Sequence, residues 1–419
     1  MKRLAAMLLA LALLATACTT GSGSAADDPI VIGAIYPLSG AQGPGGIDEH
    51  RGVMLAADLA DGDGGVHGRP IEVRSLDVGT ADAAPGAVAE LDTEGIDLVL
   101  GSYGSTISAP ASATAADRGM FFWETGAVGM LGPESDQGGL TFRVPPTGGV
   151  LGSAAIDYVA DQIAPGVPHG EDLRYAVTYV DDVYGRSVAS GAFAAIERRN
   201  LTDVGHFAYD YRTVNMRALV RRVAAAKPDV LFVSAYLDDA IALRRQLVRQ
   251  HVPLVANIGT SSSYCMPAFG ATLGKDAVGV YASDKPSATS IDPSGLRPAG
   301  AALLERANDA YRERWNEDMS PAALAGFSAA WALFTDVLPR ATSMSAADVA
   351  DAARATDIPA GSLPNGSGLR FGARGTLQAG DNLEAASVIW EWVRPGEAAV
   401  IWPKAFATDA MDPTTVSAW

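Results

Sequence analysis

Short apolar, β-rich runs alternate with segments whose apolar residues recur at helical spacing, and the alternation runs twice along the 419-residue chain. That rhythm leaves few folds open. A strand, a helix and a second strand on one sheet give a parallel sheet with helices packed on its faces. The first series reads strand 30–36, helix 47–59, strand 71–76, helix 83–91, strand 98–100, helix 105–118 and strand 120–123. The block Thr141-Phe142-Arg143-Val144-Pro145-Pro146 interrupts it. The second series reads helix 149–163, strand 175–180, helix 185–198, strand 204–209, helix 216–226, strand 230–234, helix 238–250 and strand 254–257, with a further strand at 278–282. A second break falls at Ser283-Asp284-Lys285-Pro286. Helices near 296–316, 322–338 and 345–355 follow, then a β-rich tail at 369–371, 386–393 and 399–402.

The expected fold is therefore α/β: two doubly wound parallel-sheet lobes, each assembled from discontinuous segments. Residues 29–143 and 286–362 are expected to form the N-terminal lobe, and 144–285 and 363–410 the C-terminal lobe. The chain would cross near 142–147, near 282–287 and again before the tail. A cleft between such lobes is a natural ligand site, because strand C-termini point their loops into it.

The N-terminus reads as an address. Lys2 and Arg3 precede an apolar run over 4–17, too short to span a bilayer as a helix but suited to a signal-peptide core. The run ends in Leu14-Ala15-Thr16-Ala17-Cys18, which resembles a bacterial lipoprotein signal. Ala15 stands where the usual leucine would be, with Leu14 one step back. Cleavage after residue 17 would leave Cys18 to carry the lipid, and 18–28, opening Thr19-Thr20-Gly21-Ser22-Gly23-Ser24, would be a flexible tether. The expectation is a protein of the cell envelope, on the outer face of the cytoplasmic membrane and touching it only through the anchor.

Composition excludes more than it assigns. A net charge of −17 repels phosphate backbones and argues against nucleic acid as a partner. The two cysteines, Cys18 and Cys265, lie in unrelated contexts, and the five histidines show no pair at zinc-ligand spacing, so no metal is expected. Cys265 reads as a small buried apolar side chain. Gly270-Ala271-Thr272-Leu273-Gly274-Lys275-Asp276 is one residue short of a phosphate loop, and Asp276 replaces the hydroxyl that would hold magnesium. Asp61-Gly62-Asp63 through Glu72 mimics a calcium loop, but Val66 takes the glycine position and Arg69 brings a cation to a cation site. Neither G-x-S-x-G nor H-E-x-x-H occurs. The expectation is no enzyme and no cofactor.

Five segments, in order, resemble the leucine/isoleucine/valine-binding family of solute-binding proteins that serve ABC importers. They are Ile32-Gly33-Ala34-Ile35-Tyr36-Pro37-Leu38-Ser39-Gly40; Gly64-Gly65-Val66-His67-Gly68-Arg69-Pro70-Ile71-Glu72-Val73; Val99-Leu100-Gly101-Ser102-Tyr103-Gly104-Ser105; Asp181-Asp182-Val183-Tyr184-Gly185; and 390–403. The resemblance covers residues 30–405 and implies the type I periplasmic binding fold, two α/β lobes with three crossovers. It implies a small-molecule solute and ABC permease subunits as partners, with a monomer expected.

The resemblance also implies a site. Ser105 lies where the family places a serine at a helix N-terminus, suited to a carboxylate or carbonyl oxygen; Thr106 follows it. As a plain N-cap it would need no ligand. Tyr103 matches a pocket-wall position, and Tyr184 and Tyr236 match aromatics of the second lobe that would close over the solute. As isolated tyrosines they would be half-buried packing residues. The family's S-P-x-A-T loop reads here Glu124-Thr125-Gly126-Ala127-Val128, with Gly126 and Ala127 at the pocket and valine replacing the threonine. The loop that carries the family's ammonium-binding glutamate reads Gly259-Thr260-Ser261-Ser262-Ser263, with Thr260 and Ser261 facing the solute and no acid. Burying an ammonium without a counter-charge costs several kcal/mol. So either Glu124 supplies the charge, or the solute is an amide, urea-like compound or carboxylate without a free ammonium. A ligand-sensing receptor subunit of the same fold is the alternative function.

Overall fold

The computed structural model describes residues 28–131 and 139–410. The signal segment 1–17, Cys18 and the tether to residue 27 lie outside the described residues.

The first sheet has five strands: β1 (Ile30–Tyr36), β2 (Ile71–Asp77), β3 (Leu98–Gly101), β4 (Phe121–Glu124) and β5 (Thr141–Arg143). Their order is β2-β1-β3-β4-β5 and every pair is parallel. β3 and β4 are buried at every residue, as central strands covered by helices on both faces must be. The covering helices are α1 (Gly43–Gly62), α2 (Ala84–Thr93) and α3 (Ser105–Asp117).

After the first break the chain enters a second lobe through α4 (Gly148–Tyr158), which continues as a π turn over Val159–Ile163. Five strands follow: β6 (Arg174–Val180), β7 (Thr202–Tyr209), β8 (Val230–Ser234), β9 (Ala256–Thr260) and β10 (Tyr281–Asp284). They alternate with α5 (Val183–Arg198), α6 (Met216–Ala226), α7 (Leu237–Arg249) and α8 (Pro267–Leu273), the last not anticipated from sequence. The sheet order is β12-β11-β10-β9-β8-β6-β7, where β11 (Val388–Arg394) and β12 (Glu397–Trp402) come from the tail. The tail adds an antiparallel edge to this otherwise parallel sheet. β11 runs antiparallel to β10, and β12 antiparallel to β11. For β12 the reason is local: Arg394 to Glu397 is a hairpin turn, which can only join antiparallel strands.

Between β10 and the tail the chain returns to the first lobe as α9 (Pro298–Trp315), α10 (Pro321–Ala332) and α11 (Ala346–Ala355). Leu304, Phe327, Phe334 and Val349 pack into the same core as Ile32, Leu100 and Trp123. The span Pro321–Arg340 is long and apolar enough to cross a membrane, yet 83% of it is buried inside the protein, as a core helix is. α1 and α10 touch backbone to backbone: a Cβ on Gly52 would sit 2.0 Å from the Ala323 carbonyl oxygen. Leu369 and Phe371 still belong to this first core, whereas Val388 belongs to the second. The last crossing therefore lies between 371 and 388, not at 362–363. The first and third crossings lie together. Arg143 N donates to the Gly380 carbonyl, Asn382 N donates to the Arg143 carbonyl, and Asn382 Nδ2 donates to the Val144 carbonyl.

Candidate functional site

The C-terminal ends of β3 and β4 in one lobe and of β6, β8, β9 and β10 in the other face a single cleft. On the first-lobe side, α3 begins at Ser105 behind Gly104, which offers no side-chain cap. The Gly104 carbonyl accepts from the N–H of Ile107 and Ser108. The N–H groups of the first turn point outward with the positive end of the helix dipole. Ser105 Oγ accepts from Gly129 N at 2.9 Å, which leaves its own proton free to donate. Gln42 Nε2 donates to Thr106 Oγ1 at 2.8 Å, while Gln42 Oε1, buried, has no hydrogen-bond partner.

On the second-lobe side, Asp182 caps α5 by accepting from Gly185 N at 2.9 Å, which presents Tyr184 to the cleft. The Tyr184 hydroxyl donates to the Ser261 carbonyl. Tyr236, at the start of α7, donates its hydroxyl to Asp182 Oδ2 at 2.7 Å. The two rings lie 5.4 Å apart, and Tyr211 backs Tyr236 at 5.1 Å. The loop after β9 adds Ser261, Ser262, Cys265 and Met266.

The floor is charged. β10 ends in Asp284, followed at the second crossing by Lys285; both are buried. Lys285 Nζ lies 3.9 Å from Asp284 Oδ1 and reaches the first lobe, donating to the Gly126 carbonyl at 3.3 Å. Asp284 Oδ1 has no hydrogen-bond partner among the described residues, though Ser261 and Cys265 face the carboxyl. Burial pushes its carboxyl up, and the Lys285 charge opposes this. Beneath Gly126 lies Glu49 of α1, 0% exposed, with Oε1 accepting from Thr125 Oγ1 at 2.7 Å and Oε2 unpartnered. Burial pushes Glu49 up to about 8, against the pull of Lys285. A Cβ on residue 126 would fall 1.9 Å from Glu49 Oε2, so any side chain there would force the Glu49 carboxylate to shift.

Of the residues singled out from sequence, Tyr103, Ser105, Gly126, Tyr184, Tyr236 and Ser261 line one narrow cavity between the lobes. Thr106 is not among the lining residues; its hydroxyl accepts from Gln42 and also meets Tyr236 of the other lobe. Thr260 turns away and donates to the Ser283 carbonyl at 2.9 Å. Ala127 and Glu124 also turn away. Glu124 is 0% exposed, and Oε1 accepts from the N–H of Gly126 at 2.8 Å, Ala127 at 2.6 Å and Ser102 at 3.1 Å. Ser108 Oγ donates to Oε2. Burial pushes this carboxyl up, opposed by those hydrogen bonds and by Arg143. Glu124 spends its acceptors on holding the β4 loop, so it does not face the cavity as a free counter-charge. Sequence reasoning missed Gln42, Asp284, Lys285, Met266 and Pro321, which line the cavity. A signal existed for the charged pair, since opposite charges sat next to each other at a break directly after an apolar strand. Cys265 is buried, as expected, but it borders the cavity.

The geometry can be set beside known proteins. Residues 29–380 match the family model described as periplasmic binding protein. The Leu/Ile/Val-binding protein homolog 8 of Brucella suis is 26% identical over 397 residues, covering 93% of this chain and 94% of that one. Homolog 7 of Brucella abortus is 26% identical over 403 residues, with 95% and 97% covered. Among solved structures, the leucine-binding protein LivK of Thermotoga maritima superposes with a TM-score of 0.74 at 16% identity, over 88% of this chain and 97% of that one. LivJ of Streptococcus pneumoniae, solved with isoleucine, superposes with a TM-score of 0.71 at 19% identity, over 90% and 100%. These likenesses carry the fold, two α/β lobes of the type I kind. With the family model covering most of its length, the chain belongs to the periplasmic binding protein family.

Proposed function

We propose that the chain is an extracytoplasmic solute-binding protein of an ABC importer, which traps a small polar solute between its lobes by hinge closure and presents the closed form to a permease. The family is one of substrate-binding proteins. One observation carries the reading to this chain: a cavity whose walls come from both lobes, with a helix N-terminus and Ser105 on one side and Tyr184 and Tyr236 on the other. A solute touching both walls favours the closed state, so binding and closure are coupled. Tyr103, Ser105, Gly126, Tyr184, Tyr236 and Ser261 are its contacts, with Thr106 in support. Met266 and Pro321 offer it an apolar flank. The solute class is a branched-chain amino acid or a related amide, urea-like compound or carboxylate; the names of the Brucella relatives put the first of these foremost. Lipidation at Cys18 would hold the protein beside its permease.

A thermal-shift screen of amino acids, amides, urea and small carboxylates tests this. A solute at a hundred times its Kd adds about 2.7 kcal/mol of stability, on the order of 5–10 °C for a lobe of ordinary size. A screen in which no compound moves the transition contradicts the reading.

A further inference from the structure

The cleft holds two kinds of unfinished hydrogen bonding, and they differ in sign. The first turn of α3 and the free proton of Ser105 offer donors at one end. At the floor Gln42 Oε1 and Asp284 Oδ1 border the cavity, buried and without a hydrogen-bond partner among the described residues; the Asp284 carboxyl is otherwise faced by Ser261 and Cys265, which also line the cavity. Asp284 is 1% exposed. A buried carboxylate oxygen left open is costly unless something polar completes it. Lys285 does not, since 3.9 Å is an electrostatic contact without a hydrogen bond, and its ammonium is directed to the Gly126 carbonyl. The buried acids Glu49 and Glu124 beside the cleft are not among the residues that line the cavity. Glu124 is consumed by backbone N–H groups, and Glu49 sits under Gly126, shielded from the cavity by the β4 loop.

We propose that Asp284 is the specificity-determining counter-charge for a cationic nitrogen of the solute, with Gln42 Oε1 as second acceptor, so that this cleft selects a solute bearing both an ammonium and a carboxylate. The inference rests on the solute-binding reading of the cleft. It accounts for the absent acid in the loop after β9: the negative charge has moved to the end of the neighbouring strand, β10, at the second crossing. There the ammonium sits between the lobes. Lys285 keeps the carboxylate from being an isolated charge before the solute arrives. An amide or urea brings N–H donors but no full charge, and a simple carboxylate brings a second negative charge toward Asp284.

The test uses the full chain and calorimetric titration with matched pairs that differ only in the amine: L-leucine with isocaproate, L-valine with isovalerate, L-alanine with propionate, and urea alone. The expected result is that at least one amino acid binds roughly 100-fold or more tightly than its deaminated partner, a gap typical of an unpaired buried charge. Asp284→Asn should then lose binding by a similar factor and close the gap within the pair. Wild-type discrimination needs no variant, so a D284N protein that failed to fold would not leave the matter open. Binding of a carboxylate or urea in preference to every amino acid overturns the inference while leaving the solute-binding cleft intact. So does amino-acid binding by a folded D284N protein within about threefold of wild type. No binding by any compound removes both.

Discussion

Glu124→Gln separates a scaffold role from a ligand role. In the native structure the Glu124 carboxylate gathers the N–H groups of Ser102, Gly126 and Ala127 and the hydroxyl of Ser108. Glutamine keeps one acceptor oxygen but puts an amide donor where Oε2 was. If its oxygen stays with Gly126 and Ala127, those two bonds lose their charge assistance, about 1 kcal/mol each. Ser108 must turn to accept rather than donate, at a further cost of about 1 kcal/mol. The total is about 3 kcal/mol, or on the order of 5–10 °C in the melting of the ligand-free protein. Circular dichroism on ligand-free protein reads this. Because the loop from 125 to 129 carries Gly126 and Val128 to the cavity, binding should weaken for every solute, whatever its charge. A variant that melts within about 1 °C of wild type and loses only cationic solutes would refute the reasoning, and would make Glu124 the counter-charge after all.

Three other outcomes are expected. Glu49 is held protonated by burial up to about 8 against an ordinary 4.5, so the folded state keeps a proton that the unfolded chain releases. Its contribution is complete below 4.5 and is lost as pH rises towards 8, with a slope of about 1.4 kcal/mol per pH unit; denaturant titrations should show Glu49→Gln less sensitive to pH than wild type across that window. Gly126→Ala drives a methyl group into the Glu49 carboxylate and should cost about 1–3 kcal/mol and most of the binding, measured by melting and titration. Ser105→Ala should weaken solute binding about tenfold while costing about 1 kcal/mol for the orphaned Gly129 N–H, read by the same two assays. For Tyr184 the informative variant is Tyr184→Phe, since a fully buried ring truncated to alanine would cost about 3–5 kcal/mol by itself.

The fold was legible because its signals are local. Continuous apolar runs such as 98–100 and 120–123 mark strands covered on both faces, and the helical spacing between them marks the connections. Both interruptions of the rhythm fall at crossings between the lobes. The tail was half legible: β11 and β12 announce themselves as strands joined by a tight turn, but nothing in their residues says that β11 adds to the sheet of the second lobe antiparallel to β10. The site was legible where a residue follows a strand and opens a helix, as Ser105 and Tyr184 do. It failed at Glu124 because position along the chain does not tell which way a carboxylate at a strand end will turn; here the N–H groups of its own loop capture it. Glu49 shows a signal that was present and unused. It lies four residues before Val53 and seven before Ala56, on the buried stripe of α1, where a charged residue is out of place unless something receives it. Lys285 meets Gly126 only through tertiary packing, across more than a hundred residues.

Small-angle X-ray scattering on the purified protein, with and without the solute that gives the largest thermal shift, tests the central claim most directly. A pair of hinged lobes that trap their solute should give a smaller radius of gyration and a more compact scattering profile when the solute saturates the cleft. Superimposable profiles with and without a bound solute would contradict it.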